Sequence, residues 1–151
     1  MHPNYKMRGK RGDEFNVGDV FYTASRTITE ADIVNFAALS NDWNPVHCDA
    51  EFAKNTVHGA RIAHGALGIA IITGLNNASG LVEGTAIASL EYDVKFKHVL
   101  KIGDTVTVVK TVTDKKVTSS GDKVVVTTMN ELINQDGVVC TEMLAKMLMV
   151  R

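Results

Sequence analysis

A chain of 151 residues, 45% of them hydrophobic, suffices for one domain with a substantial core and calls for no second. Sixteen Lys and Arg against seventeen Asp and Glu give a formal charge of −1, and the basic residues are interspersed with acids, which excludes the basic stripe that nucleic acid or an anionic membrane would need. The segment Met1–Gly12 is polar and basic with no apolar core, and the longest apolar run, residues 63–75, is shorter than the about 20 residues of a spanning helix. A soluble cytoplasmic protein is expected, with small molecules or a second copy of itself as partners.

In chain order, residues 1–15 read as a flexible tail, with Gly9 and Gly12 among charges, and the domain is expected over residues 16–151. Val20 to Ser25 is a short strand candidate. Thr29 stands three residues before Asp32, a variant capping box, ahead of Ile33, Phe36 and Ala37 at helical spacing, so a helix is predicted to about Leu39. After a loop, Asp49 is placed to cap a short helix through Ala53 and Lys54. The run Ala66–Leu75 is apolar all round, and its Ile69, Ile71 and Ile72 suit a strand as well as a helix, so periodicity leaves its type open. Its length, with Gly65 at the start and Gly74 near the end, fits a buried helix.

From Gly84 the pattern changes to period two. Ala86, Ala88, Leu90, Tyr92, Val94 and Phe96 alternate with polar residues from Ser89 to Lys97, which predicts one long strand with a buried and a wet face. Further β-rich runs cover residues 105–112, 123–133 and 138–150. Lys115-Lys116 and Ser119 to Asp122 separate the first two, and Gln135-Asp136-Gly137 carries a hairpin signal between the last two. Helices early and an antiparallel meander late make an α+β domain. Cys48 and Cys140 fit no paired spacing and read as buried small hydrophobes. His47, Asp49, His58 and His64 match no common ligand pattern, so no metal is expected.

The chemistry concentrates in Asn41-Asp42-Trp43-Asn44-Pro45-Val46-His47. Pro45 fixes its own φ and drives Asn44 extended, so a carboxylate and an imidazole are held on one side of a stiff bend where they can grip one water. Then comes Ile62-Ala63-His64-Gly65, a glycine opening the apolar run. The ordered set Asp42, Asn44-Pro45, His47 and His64-Gly65, flanked by the helix through Ser40 and by Asp49-Ala50-Glu51-Phe52-Ala53, resembles the hydratase signature of the MaoC-like dehydratases, the (R)-specific enoyl-CoA hydratases of hot-dog fold. That signature reads Asp-x-Asn-Pro-x-His, followed by a His-Gly pair at the start of a central helix.

The resemblance implies a single hot-dog domain whose antiparallel sheet wraps a central buried helix, and the reversible syn addition of water to a trans-2-enoyl-CoA. It assigns catalysis to Asp42, His47 and Gly65: His47 as general base, Asp42 as its partner on the same water, Gly65 N–H as donor to the thioester oxygen. Asn44, His64 and Thr73 fall on the substrate side, Asn44 as scaffold of the loop and Thr73 where related hydratases carry a pocket-lining serine. No cofactor is implied beyond the CoA thioester as substrate. Lys54, Arg61, Lys95, Lys97 and Lys101 are candidates for its phosphates by charge alone. A homodimer, or a higher assembly of dimers, is the implied state. A hot-dog acyl-CoA thioesterase and a non-catalytic acyl-thioester-binding subunit are the alternative readings, and acyl length, branching and pathway stay open.

Overall fold

The structure, a computed structural model, describes residues 2–151. Two short strands, β1 (Val20–Tyr22) and β2 (Arg26–Thr27), precede three helices, α1 (Glu30–Ser40), α2 (Pro45–Cys48) and α3 (Ala50–Lys54). The long helix α4 (Gly65–Ala78) follows, and then β3 (Ala86–Phe96), β4 (Thr105–Val117), β5 (Lys123–Ile133) and β6 (Val139–Val150). The strands make one antiparallel sheet in the order β1-β4-β5-β6-β3, with β2 paired to β4. This is the α+β arrangement expected, a sheet wrapped around a buried helix.

The ambiguous apolar run is a helix, and its burial shows why. Leu67, Gly68, Ile71, Ile72 and Leu75 are buried while Ala66, Ala70, Gly74 and Ala78 are exposed, so the hidden residues recur at helical spacing and not at every second position. The stripe packs on the inward residues Val106 and Val108 of β4, with Leu132 and Met143 from β5 and β6, in the larger of two core clusters. Each isoleucine fully buried there is worth about 1.5–3 kcal/mol, which outweighs the tenths of a kcal/mol a β-branched side chain loses in a helix. The smaller cluster gathers Phe15, Val82, Val112, Val124, Val126 and Met149 at the other end of the sheet.

Several expectations are corrected. Phe15 is a core residue at 1% exposure, and Gly9 N–H and Lys10 N–H donate to Glu83 O and Leu81 O, so the chain from Gly9 to Phe15 is packed and is no loose tail. Apolar burial of one aromatic ring holds a segment that its charges had marked as free. Of the early strand candidate Val20 to Ser25 only Val20–Tyr22 is strand, and β2 lies just beyond it. Lys115 and Lys116 lie within β4, where they pair with Val126 and Val125, and do not interrupt it. In β3 two bulges, at Ala86/Ala88 and Ser89/Glu91, break the strict alternation. Nor is either face of β3 covered: Ile87, Leu90, Tyr92 and Phe96 are 41–59% exposed, leaving only Val94 half-buried. Cys140 is buried as expected, while Cys48 is only partly so. Among the described residues no helix is long and apolar enough to cross a membrane.

Candidate active site

The capping box forms as predicted, with Asp32 N–H donating to Thr29 Oγ1 and the Asp32 carboxylate accepting from Thr29 N–H, and it launches α1. The helix ends on Asn41 in the left-handed conformation, φ 59°, a geometry in which asparagine is among the least strained residues. That reversal throws Asp42 back across the end of α1. The bend itself closes into the one-turn helix α2, not foreseen from sequence: Asn44 Oδ1 accepts from Val46 N–H as N-cap, and Pro45 takes the first helical position. Asn44 is therefore scaffold. His47 is carried on the turn that Asn44 caps.

The His47 ring is oriented by a main-chain group distant in sequence. Its Nδ1 lies 2.8 Å from Ile62 O. A carbonyl only accepts, so Nδ1 bears the proton and the neutral ring presents its Nε2 lone pair on the other side. There Nε2 stands 4.0 Å from Asp42 Oδ2, while Asp42 Oδ1 accepts from Asn44 N–H. The separation is too long for a direct hydrogen bond and suits a single atom that bonds to both groups.

His64 is the hidden member of the group, 3% exposed. Its Nε2–H donates to Asp42 O at 2.9 Å, its ring stacks on His47 with centroids 3.8 Å apart, and Phe36 packs against it at a tilt with centroids 5.1 Å apart. His64 thus fixes both the main chain of the acid and the plane of the base. Its Nδ1 is buried without a partner. Asp42, His47 and His64 bring ligating atoms within 4.8 Å of one another. The stack turns the two ring planes to within 28° of each other, a poor arrangement for two imidazoles converging on one ion at about 2.0–2.1 Å.

Gly65 opens α4 beside this group. His64, the N-cap, contributes no side-chain cap; its carbonyl accepts from Leu67 N–H at 3.1 Å and Gly68 N–H at 3.3 Å, and the Gly65 N–H, ahead of that first bonded turn, is left to the cleft that Gly65 lines. A Cβ at Gly65 would stand 2.9 Å from Phe96 Cζ, so the glycine is demanded by the Phe96 ring as well as by any close approach of a ligand. The cleft, about 680 Å³, runs between His47, His64 and Gly65 on one wall and Phe96, His98 and Lys101 on the other.

Of the five basic residues picked out by charge, Lys97 and Lys101 line this cleft. Arg61 is paired with Glu30 at 2.9 Å, which holds that carboxyl below its usual range, and Lys54 lies 4.0 Å from Glu51. Thr73 is not brought to the Asp42–His47 group within the chain. Two turns along α4, its hydroxyl donates to Ala70 O, and it lines a second cavity of about 190 Å³ with Asn76, Lys110 and Asn130. Sequence reasoning missed Lys110, although a signal was present: it is the one charge in the inward register of β4, between Val108 and Val112. The Ile62 carbonyl and the Phe96 ring carried no signal, because a backbone acceptor and a roof over a glycine are both products of folding.

A family model described as MaoC like domain matches residues 14–135. The chain is 40% identical over 89 residues to an (R)-specific enoyl-CoA hydratase of Rhodospirillum rubrum, an alignment covering 59% of this chain. The chain spans 60% of the length of that relative and only 28% and 52% of two others that it matches. Among solved structures, a MaoC-like dehydratase from Rhodospirillum rubrum superposes with TM-score 0.87 at 29% identity, over 95% of this chain and 98% of that one. A Mycobacterium tuberculosis protein with a double hot-dog fold superposes with TM-score 0.83 over 97% of this chain and 46% of its own, and at 15% identity that likeness speaks for the fold alone. The fold is hot-dog.

Proposed function

The chain belongs to the MaoC-like dehydratase family, and from that premise we propose that it catalyses reversible syn hydration of a trans-2-enoyl-CoA to an (R)-3-hydroxyacyl-CoA. The observation that carries the reading is the 4.0 Å gap between His47 Nε2 and Asp42 Oδ2, with the His47 tautomer set by Ile62 O. A water seated between them is held by an acceptor on each side. Its oxygen bonds to the β-carbon as a proton passes to His47 Nε2, and the π electrons move toward the thioester oxygen. The Gly65 N–H, at the positive end of α4, stabilises the negative charge that develops there. The α-carbon then takes a proton from the Asp42–His47 pair, which returns to its starting state. Water has been added across the bond, and no electron has left the system, so the reaction needs no redox cofactor.

Lys97 and Lys101 beside the cleft suit the phosphates of CoA. The apolar, uncovered edge strand β3, with Ile87, Leu90 and Phe96 each about half exposed, supports a homodimer that pairs this edge, since such an edge is otherwise an aggregation hazard. Crotonyl-CoA tests the reading. Loss of the conjugated enoyl absorbance without release of free thiol, and an (R) product by chiral analysis, are expected. Thiol release outrunning loss of the double bond would point to a thioesterase, and binding without turnover to a carrier.

A further inference from the structure

The second cavity holds a charge that the chemistry above does not use. Lys110 is 5% exposed, lines this cavity, and has no hydrogen-bond or ion-pair partner among the described residues. It sits at the junction of the two core clusters, whose other inward β4 positions are valines. Burial lowers its ammonium to about 8, so at neutral pH most molecules still carry the charge. An unpaired buried charge is a standing penalty, usually removed unless something binds it.

The cavity walls are largely apolar, with Phe15, Val126, Met143, Met147 and Met149 among them, and the few polar groups set into them are partly unsatisfied. Asn130, 1% exposed, is the cross-strand neighbour of Lys110. Its Nδ2 donates to Thr128 Oγ1 and to Met143 O, which turns its Oδ1 toward Asn76 Nδ2 at 2.9 Å. That orientation leaves Asn76 Oδ1 buried with no donor. Ser89 Oγ and Tyr92 OH bond to each other at 2.8 Å, so one of the two hydroxyls keeps a free O–H. An ammonium has three N–H groups, enough to serve Asn76 Oδ1 and a ligand oxygen together. An acceptor with negative charge is what this set lacks.

This cavity is separate from the cleft and shares no lining residue with it, but the two are built on the same elements. Both lie along α4 and β6: Gly65 and Thr141 line the cleft, Thr73 and Met143 the second cavity. The helix rise puts Thr73 about 12 Å beyond Gly65. Resting on the enoyl-thioester reading above, we propose that the second cavity receives the far end of the acyl group and that Lys110 selects chains ending in a carboxylate. The substrate class is the CoA monothioester of a linear dicarboxylic acid, unsaturated at the α,β position.

The test uses saturated analogues, which bind but cannot be hydrated, so it does not depend on turnover. Calorimetric titration of the full chain compares adipyl-CoA with hexanoyl-CoA, and suberyl-CoA with octanoyl-CoA, pairs of equal carbon number that differ in the terminal carboxylate. At least one acidic ligand should bind about tenfold or more tightly than its neutral match, as expected of one charge-assisted contact. Lys110→Met should abolish or invert that preference while leaving the neutral ligands unweakened, and Lys110→Gln, which keeps a polar group, should do the same if the methionine variant folds poorly. Equal affinity within both pairs, or a loss in the variants shared by acidic and neutral ligands, would overturn the proposal. If crotonyl-CoA is left unhydrated but the Lys110-dependent preference stands, the hydratase reading falls and the anion subsite survives; hydration without preference has the opposite meaning.

Discussion

Replacing Lys110 by methionine should stabilise the free protein at neutral pH, and the gain should fade on the alkaline side. Burial depresses the ammonium from 10.5 to about 8, so between those values the unfolded chain binds the proton that the folded chain has released. Stability therefore rises with pH across that window, and the penalty is present in full below about pH 8. At about 1.4 kcal/mol per pKa unit, the depression amounts to roughly 3 kcal/mol. Methionine keeps an unbranched stem of similar volume and carries no charge. Lys110 is 5% exposed but lines the second cavity, which water can enter, so roughly 3 kcal/mol is the upper end of the expected gain. Urea unfolding of both proteins from about pH 7 to about pH 10 measures the difference directly. The variant should be the more stable by a few kcal/mol at the neutral end, with the two curves converging as pH rises. Curves that stay parallel, or a wild type that is the more stable at neutral pH, would refute the claim that Lys110 is an uncompensated buried charge.

Three further outcomes bear on the site. Asp42→Asn and His47→Ala should each lower kcat on crotonyl-CoA by at least about 10²-fold, and the double variant by far less than the product, because both act on one water; near wild-type turnover in either folded single variant would end its assigned role. Gly65→Ala drives a Cβ to 2.9 Å from Phe96 Cζ, so adding Phe96→Ala should restore much of the lost activity. Gly65→Pro, which removes the N–H, should stay down by about 10²–10³ in either background; rescue of the proline variant would reduce Gly65 to a steric requirement. Leu90→Asp on β3, at a position 53% exposed in the single chain, should shift sedimentation from dimer to monomer with the helical and sheet signal kept, and an unchanged sedimentation coefficient would place the interface elsewhere.

Local rules were enough for much of this molecule. The capping box of Thr29 and Asp32, the Asp49 cap, the Asn44-Pro45 bend and the extents of β5 and β6 depend on neighbours within a few residues, and they stand where the sequence puts them. The family likeness was legible for the same reason, since Asp42, His47, His64 and Gly65 fall in two short runs. What tertiary structure decided lies between distant segments. Phe15 turns a charged tail into part of the core. Ile62 O selects the tautomer of His47 across 15 residues, and His64 joins base to acid across 22. Thr73, one face of the same helix as Gly65, opens onto a different cavity, and Lys110 points inward because β4 alternates and its neighbours Val108 and Val112 must be buried. Sequence pattern reports which face a residue takes, whereas what meets it there depends on which other segment the fold lays against that face, and long-range packing energy alone makes that choice.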